Sequence, residues 1–272
     1  MKVAIQGVQG SFHHKVAQEF FGADVEVLEC MSFPRLVDAL LDGEVDDAVM
    51  AIENTIAGAI LPNYALLDDH NLTIEGEYYL DIQHNLMALK GQDLTTIKEV
   101  WSHPMAILQC RQFFRDYPSI KLVEDTDTAG VAREIKERNL AGIAAIASTT
   151  AAEIYDLSII KSSIQTVDEN ATRFFILNKN GKEAEGIINK ASLRFTTDHK
   201  RGSLATILNV LSDCKMNLTK IQSMPIIEKP WEYAFFVDVT FDSIESFKKA
   251  TTLVSLMAKD FKVLGAYKNQ KQ

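Results

Sequence analysis

The chain has 272 residues, of which 47% are hydrophobic, and a formal net charge of −9. A chain of this length can form more than one domain, and its hydrophobic fraction is typical of a globular protein. The negative charge, with no local run of Lys or Arg, argues against binding to nucleic acid or to an anionic membrane.

The cysteine pattern and the apolar segments predict a cytoplasmic protein. The three cysteines are widely spaced and form no C-x-x-C pair, so neither a disulfide framework nor a zinc site is indicated. The apolar run after Met1 and Lys2 is too short for a signal peptide. The most apolar later stretch, residues 140–152, is too short to span a bilayer.

Short apolar strands alternate with helical patterns from residue 1 to about 160. This alternation predicts α/β units with mostly parallel sheets. Two successive strands, Ile74–Leu80 and Ile82–Leu89, have no helix between them and are candidates for carrying the chain from one lobe to another. The other predicted strands are Lys2–Gln6, Ala48–Ile52, Glu99–Ser102, Lys121–Glu124 and Gly142–Ala147.

A polar, glycine-containing segment at 178–186 is typical of a linker and predicts a domain boundary. The elements after it have the order βαββαβ, which is the ferredoxin-like motif. Its second helix opens with Asp242 and Glu245, spaced as in a capping box. The predicted elements are the strand Lys190–Thr197, the helix Gly202–Lys215, the strands Asn217–Ile227 and Glu232–Phe241, the second helix, and the strand Phe261–Tyr267.

The segment Gly7–Phe12, G-V-Q-G-S-F, lies between the first strand and a helical pattern. Glycines let a backbone approach a ligand closely, and N–H groups at a helix start favour an anion, which Ser11 can also contact. A plain tight turn is the alternative interpretation. The spacing does not match the G-x-G-x-x-G dinucleotide motif.

Two further polar stretches follow predicted strands. Ligands of open α/β sheets bind beyond the carboxyl ends of strands, where Glu53, Asn54 and Thr55 fall, although Asn54 or Thr55 could equally cap a helix. His103, before Pro104, is either a proton donor or a cap-region histidine bonded to backbone.

The stretch Glu169–Asn178, E-N-A-T-R-F-F-I-L-N, places an arginine at the start of an apolar strand. Burying Arg173 without an anion would cost on the order of several kcal/mol, because its charge would leave water without gaining a partner. A salt bridge to Asp168 or Glu169 would satisfy it, and so would an anionic substrate that also contacts the Thr172 hydroxyl.

In combination, these motifs resemble prephenate dehydratases that carry a C-terminal ACT domain. The resemblance rests on the order G-x-x-G-S, E-N-T, S-H-P, N-x-T-R-F, G-S-L and N-L-T-K-I-Q-S-M-P. It implies a two-lobed catalytic domain similar to type II periplasmic binding proteins, at 1–180, with lobes at 1–77 plus 163–180 and at 78–162. A linker at 181–188 and an ACT domain at 189–272 would follow.

The resemblance implies conversion of prephenate to phenylpyruvate without a metal or other cofactor. Thr172 is then the residue most closely tied to catalysis, with Glu53 or His103 as its assistant, and Arg173 binds a substrate carboxylate. The other implied substrate-binding residues are Ser11, Asn54, Thr55, Asn170 and Phe174.

The ACT resemblance implies feedback by phenylalanine at an interface between subunits, hence a homodimer or homotetramer. Two departures from the family pattern are expected to weaken polar contacts: Met105 follows S-H-P in place of glutamine, and Gln222 and Met224 replace the charged residues of E-S-R-P. The implied regulatory residues are Gly202, Ser203, Leu204, Asn217, Leu218, Gln222 and Ser223.

Three alternatives compete with this interpretation. Arogenate dehydratase is a close variant that the motifs do not separate from prephenate dehydratase. A catalytically inert amino-acid sensor has no need of the Thr172 hydroxyl. A nicotinamide-dependent dehydrogenase is disfavoured by the glycine spacing.

Overall fold

The computed structural model describes residues 1–179, 181, 186–227 and 229–271. The chain divides into two compact units, which we call the first and second unit. The first comprises Met1–Gly58 and Tyr79–Phe174, and the second comprises Ala59–Tyr78 and Phe175–Gln272. Residues 59–78, predicted for the N-terminal lobe, therefore group with C-terminal residues. The predicted linker 181–188 falls largely outside the described residues, and the domain boundaries stay predictions.

The strands are numbered along the chain. They are β1 (Lys2–Gln6), β2 (Glu26–Cys30), β3 (Asp47–Asn54), β4 (Gly58–Ala59), β5 (Thr73–Asp81), β6 (Asn85–Ala88), β7 (Glu99–Ser102), β8 (Lys121–Glu124), β9 (Ile143–Ala147), β10 (Ser158–Lys161), β11 (Ala171–Asn178), β12 (Lys190–Thr196), β13 (Asn217–Pro225), β14 (Tyr233–Thr240) and β15 (Asp260–Tyr267).

The helices are numbered in the same way. They are α1 (Phe12–Phe21), α2 (Phe33–Asp42), α3 (Leu61–Asp69), α4 (Pro104–Cys110), α5 (Thr128–Glu137), α6 (Thr149–Ile154), α7 (Ser203–Asp213) and α8 (Ile244–Met257), and a short 3-10 helix covers Phe113–Asp116. Side chains of Ser, His or Asp accept a backbone N–H at the N-termini of α1, α2, α4, α5, α6 and α8, which is the usual way of satisfying these donors.

Two α/β sheets precede the C-terminal elements. The first has the order β2-β1-β3-β11-β5, with β4 also paired to β3, and β1 is parallel to β2 and β3. The second has the order β10-β6-β9-β7-β8, with β7 parallel to β8 and β9. β3 and β11 are neighbours, and the end of β3 lies beside the start of β11, since the Thr55 N–H donates to the Ala171 carbonyl oxygen. The predicted α/β class is confirmed.

The C-terminal elements form an antiparallel sheet of order β13-β14-β12-β15. With α7 and α8, this is the ferredoxin-like arrangement, as predicted. Its core includes Phe195, Leu211, Val237 and Val254. The predicted capping box is wrong by one residue, because Ser243 and not Asp242 accepts the backbone N–H at the start of α8.

Most predicted strands agree with the structure to within two residues at each end. The first unit differs in one respect that bears on the site: no helix follows Thr55 directly. The chain turns instead, forms β4, and begins α3 only at Leu61. The prediction that a helix begins beside Glu53–Thr55 is therefore wrong.

The second unit contains a buried ion pair between Lys190 on β12 and Glu77 on β5. The ammonium nitrogen lies 2.9 and 2.8 Å from the two carboxylate oxygens, and the side chains are 4% and 0% exposed. Backbones approach closely nearby, since a Cβ atom on Gly265 would lie 2.0 Å from the carbonyl oxygen of Ile74. Residues 59–78 are thus held against the ferredoxin-like sheet by charge as well as by packing.

We expect Lys190→Met to lower the free energy of unfolding by about 3–5 kcal/mol, because it removes the ammonium group that bonds both oxygens of the buried Glu77 carboxylate. Chemical denaturation measures this. The double variant Lys190→Met with Glu77→Gln should recover much of the loss. Lys200→Met removes an exposed pair with Asp198 and should produce no measurable change. An unchanged midpoint for Lys190→Met would show that the pair does not stabilise the fold.

Candidate active site

The Thr172 hydroxyl contacts the side chain of Asn54. Asn54 Nδ2 lies 3.0 Å from Thr172 Oγ1, 2.7 Å from Asn170 Oδ1 and 3.2 Å from the Ala171 carbonyl oxygen. The amide donates, so Thr172 accepts with a lone pair and keeps its own hydrogen as a donor. The structure thus brings together three predicted site residues, Asn54, Asn170 and Thr172. Asn54 is 116 residues from Asn170 and 118 residues from Thr172 in the sequence.

The orientation of the Asn54 amide is fixed by the backbone that follows it. Asn54 Oδ1 accepts hydrogen bonds from the N–H groups of Ile56 and Ala57, both at 2.9 Å. This is an Asx turn and not the predicted helix cap. With its oxygen occupied by backbone donors, the Asn54 side chain must direct its nitrogen towards β11.

Thr55 ties the same corner to β11. Its backbone N–H donates to the Ala171 carbonyl oxygen at 2.9 Å, and its hydroxyl accepts the Ala171 N–H at 3.0 Å. Thr55 therefore aligns the two strands through backbone contacts.

A chain of side-chain amides continues from Asn170. Asn170 Nδ2 donates to Gln109 Oε1 at 3.0 Å, and the same oxygen lies 2.8 Å from His84 Nε2. Gln109 and His84 were not predicted as site residues. The available signal was that Gln109 is a polar residue three positions after the buried Ala106 and next to the buried Cys110 on α4.

Arg173 pairs with Glu53, whose Oε1 lies 3.1 Å from Arg173 Nη1. The arginine side chain is 2% exposed and its Cζ lies 5.8 Å from the centroid of the Tyr79 ring. The predicted partner of a structural salt bridge, Asp168 or Glu169, is thus wrong. Glu53 already supplies a carboxylate to Arg173, and binding of a substrate carboxylate by this residue stays a prediction.

The pleat of the sheet separates the two pairs. Successive residues of a strand point to opposite faces, so Glu53 and Asn54 face opposite ways, as do Arg173 and Thr172. The observed contacts follow this pattern, with Asn54 on Thr172 and Glu53 on Arg173. Arg173 therefore lies on the other face of the sheet from the Thr172 hydroxyl.

The loop Gly7–Ser11 is a tight turn whose N–H groups are largely occupied within the protein. Gly7 N donates to the Cys30 oxygen, Gln9 N to Glu29, Gly10 N to His14 Nδ1, and Ser11 N to the Val8 oxygen. Ser11 Oγ caps α1 by accepting the His14 N–H. These contacts support the plain-turn interpretation over the anion-binding one.

Close packing explains both glycines of this loop. Gly7 and Gly10 have φ values of 89° and 87°, which disfavour other residues. A Cβ atom would lie 2.6 Å from Asp127 Oδ2 at Gly7 and 2.9 Å from the Ala151 Cα at Gly10. Burial raises the pKa of Asp127, while the N–H of Gly130 and the charge of His103 act in the opposite direction.

The remaining predicted residues have structural contacts. His103 is exposed and its Nδ1 accepts the Met105 N–H at 3.2 Å, as the cap-region alternative requires. Phe174 is 1% exposed and its ring lies edge-on to His13 with the centroids 5.0 Å apart, so it supports the core and its burial does not favour the predicted substrate contact.

A pocket of about 360 Å³ adjoins the amide chain. Its residue Gln165 accepts the backbone N–H of His84 at 2.9 Å, and the Thr166 N–H donates to the Gln109 carbonyl oxygen at 2.8 Å. It is lined by Gln112, Phe113, Lys161, Ser163, Ile164, Gln165 and Thr166.

The predicted regulatory residues lie in the second unit around α7 and β13. Gly202 precedes α7 with a left-handed φ of 86°, Ser203 begins the helix, and Leu204 packs against the core. On β13, Asn217 Nδ2 is 3.5 Å from Thr240 Oγ1, and Gln222 Nε2 donates to the Ser223 carbonyl oxygen. Leu218 is 38% exposed on β13, which is an edge strand of its sheet.

The described part of the chain lacks two kinds of feature. No helix there is long and apolar enough to cross a membrane. No group of three or more His, Cys, Asp or Glu side chains among those residues could hold a metal ion.

Comparison with known proteins identifies the class. The family model described as prephenate dehydratase matches residues 3–182. The bifunctional chorismate mutase/prephenate dehydratase of Buchnera aphidicola subsp. Acyrthosiphon pisum is 32% identical over 277 residues, covering 97% of this chain and 70% of that protein. Arogenate dehydratase/prephenate dehydratase 2, chloroplastic, of Arabidopsis thaliana is 34% identical over 283 residues, covering 98% and 72%.

Two solved structures share the fold. Prephenate dehydratase from Arthrobacter aurescens, in complex with L-Phe, has a TM-score of 0.90 and 23% identity, covering 100% of this chain and 91% of that one. GqqA, described as a novel type of quorum quenching acylase, has a TM-score of 0.88 and 26% identity, covering 98% and 97%. The protein is thus an α/β enzyme of the lyase class. It belongs to the prephenate dehydratase family.

We expect Asn54→Asp to lower kcat for prephenate by about 10²-fold or more, because it removes a donor that orients the reacting hydroxyl. The aspartate still accepts the Ile56 and Ala57 N–H groups, so the turn is kept. Phenylpyruvate formation and circular dichroism measure the two effects.

The matched control is Asn85→Asp, which alters a buried asparagine whose amide contacts the Ala147 oxygen and Thr149 instead. This change should lower stability while kcat stays within about threefold of wild type. Equal losses of kcat in the two variants would contradict a specific role for Asn54.

Proposed function

We propose that this chain converts prephenate to phenylpyruvate, with loss of carbon dioxide and water. The observation that carries the proposal is the Thr172 hydroxyl, whose lone pair is engaged by Asn54 and whose hydrogen is available to donate. That donor is what a departing hydroxyl group requires.

In the proposed reaction, prephenate loses its ring hydroxyl and its ring carboxylate. The bond between the ring carbon and its hydroxyl breaks, and the electron pair of the bond to the ring carboxylate enters the aromatic ring as carbon dioxide leaves. Negative charge develops on the departing oxygen, where the Thr172 hydroxyl donates a hydrogen bond. One proton from solvent completes the water molecule. A threonine hydroxyl is a weak acid, so its contribution is a positioned hydrogen bond rather than full proton transfer.

Asn54 is the proposed assistant of Thr172. The sequence left Glu53 and His103 as alternatives, but the side chain in contact with Thr172 Oγ1 is the Asn54 amide. Arg173 is proposed to hold Glu53 at the end of β3, since its burial and its ion pair favour a positioning role over direct binding of substrate carboxylate.

The resemblance to an acylase structure does not favour acyl transfer at Thr172. A hydroxyl nucleophile must give its proton to an adjacent base. Asn54 donates to Thr172 and offers it no base. Because Thr172 accepts from Asn54, its own hydrogen can be donated to a leaving group.

Arogenate dehydratase stays as the alternative substrate choice, and the Arabidopsis relative carries both activities in its name. A non-catalytic amino-acid sensor is the alternative from another class. Rates with purified protein on prephenate and on arogenate separate the three cases, because a sensor turns over neither compound.

We expect Thr172→Val to lower kcat by about 10²- to 10⁴-fold with little change in KM, since valine keeps the shape and removes the hydroxyl. Thr172→Ser retains a hydroxyl and should keep more activity than valine. Phenylpyruvate formation under saturating prephenate provides the measurement. Activity of the valine variant within about threefold of wild type would remove the hydroxyl from the mechanism.

We further propose that residues 189–272 of the second unit are an ACT domain that binds phenylalanine, in a cytoplasmic homodimer or homotetramer. Three features support this: the ferredoxin-like order of the elements, the left-handed conformation of Gly202 at the start of α7, and the position of β13 as an edge strand. An edge strand can pair with the same strand of a second copy of the chain. Gln222 and Met224, which replace charged residues of the family pattern, are expected to weaken the response.

We expect Gly202→Val to abolish phenylalanine inhibition while sparing catalysis, because a β-branched residue is strained at a φ of 86°. Calorimetry and inhibition assays at about millimolar phenylalanine test it. Gly186→Val is the matched control, since Gly186 also has a left-handed φ, of 90°, and as at Gly202 no atom lies within 4 Å of the position of an added Cβ. Absence of phenylalanine binding to the wild-type protein would leave the second unit as an assembly domain.

A further inference from the structure

His84 is a buried histidine to which the proposed reaction assigns no role. It lies between β5 and β6 and is 4% exposed. Its Nε2 is 2.8 Å from Gln109 Oε1, and its ring meets Phe12 edge-on with the centroids 5.8 Å apart. His84 Nδ1 has no hydrogen-bond partner among the described residues. Only one ring nitrogen is therefore engaged.

The contacts determine which ring nitrogen carries the proton. Backbone donors occupy Asn54 Oδ1, so Asn54 Nδ2 faces Asn170 and requires Asn170 Oδ1 as its acceptor. Asn170 then directs Nδ2 to Gln109 Oε1. An oxygen in that place can only accept, so His84 Nε2 must be the donor.

Burial keeps this donor neutral. It lowers the pKa of His84, while the bond to Gln109 acts in the opposite direction. Near neutral pH the ring therefore has its hydrogen on Nε2 and a lone pair on Nδ1.

We propose that His84 is a positioning residue whose Nε2–H holds the Gln109 oxygen towards Asn170 and so fixes the amides that orient the Thr172 hydroxyl. The link to catalysis rests on the proposed function, whereas the tautomer does not. Without the His84 donor, the Gln109 amide can rotate and present its nitrogen to Asn170 Nδ2. Two donors would then face each other, and relieving that contact by turning Asn170 removes the acceptor for Asn54.

The kinetic test compares three variants. His84→Phe keeps an aromatic ring against Phe12 and removes both nitrogens. It should lower kcat by about 10- to 100-fold and leave KM within about threefold, as expected for a misplaced reacting group. His84→Gln places an amide N–H near the position of Nε2 and should restore most of kcat.

His13→Phe is the matched control. His13 is also buried in the first unit, but its Nε2 accepts the Ala51 N–H and it does not belong to the amide chain. We expect lower stability with kcat within about twofold of wild type. The proposal is overturned if His84→Phe keeps wild-type kcat, or if His84→Gln is as impaired as His84→Phe.

A double-mutant cycle shows whether His84 acts through Gln109. When Gln109→Leu is already present, adding His84→Phe should cost less than about twofold in kcat, because the bond that His84 makes is absent. A further loss as large as that in the wild-type background would mean that His84 acts by another route and would overturn the proposal.

A third measurement does not depend on turnover. Nitrogen-15 NMR of the histidine-labelled protein should show His84 as the neutral Nε2–H tautomer from about pH 7 to 8. The Nδ1–H tautomer would overturn the inference even if the wild-type enzyme is active. Inactivity of the wild-type protein on prephenate and arogenate would contradict the proposed function, and the tautomer would then decide the inference separately.

Discussion

Both the amide oxygen and the amide nitrogen of Asn54 are hydrogen-bonded, and the arrangement of the other site residues depends on this constraint. Two backbone N–H groups take its oxygen, and its nitrogen reaches Thr172 and Asn170 on the neighbouring strand. Reversing the amide would set donor against donor at one end and acceptor against acceptor at the other. The bonds of the Asn54 nitrogen are part-buried, and leaving such a group unsatisfied costs on the order of 1 kcal/mol, so the observed polarity is preferred. The direction of every later bond, as far as His84, follows from it.

The sheet adds a second constraint, because its pleat assigns adjacent residues to different tasks. On β3 and β11, one face carries the charged pair Glu53 and Arg173, and the other carries Asn54 and Thr172. The ion pair is half-buried, with the Arg173 side chain 2% and the Glu53 side chain 30% exposed, and it links the two strands. The polar face is left to present the hydroxyl. Arg173 therefore stabilises the geometry of the site from the opposite side of the sheet.

The sequence predicted the elements of the fold well because they depend on local patterns. Period-two and helical apolar patterns located β1, β7, β8 and the ferredoxin-like elements to within a few residues. The motif order also brought Asn54, Asn170 and Thr172 together correctly. The contact of Arg173 with Glu53, 120 residues away, was not predicted: the sequence offered its neighbours Asp168 and Glu169, or a substrate carboxylate, as the partner. Gln109 and His84 were not assigned to the site for the same reason, and the occupied N–H groups of the Gly7–Ser11 loop could not be inferred from glycine spacing.

The two strands that frame the site also extend into the second unit. β11 supplies Thr172 to the first unit and Phe175 to the second, where Phe175 lies edge-on to Tyr267 with the centroids 6.4 Å apart. β5 supplies Tyr79 beside Arg173 and, two residues earlier, Glu77 in its ion pair with Lys190. The backbone of each strand is therefore continuous from one unit into the other. A ligand of the second unit can alter turnover by this route only to the extent that it binds two positions of these strands with different affinity.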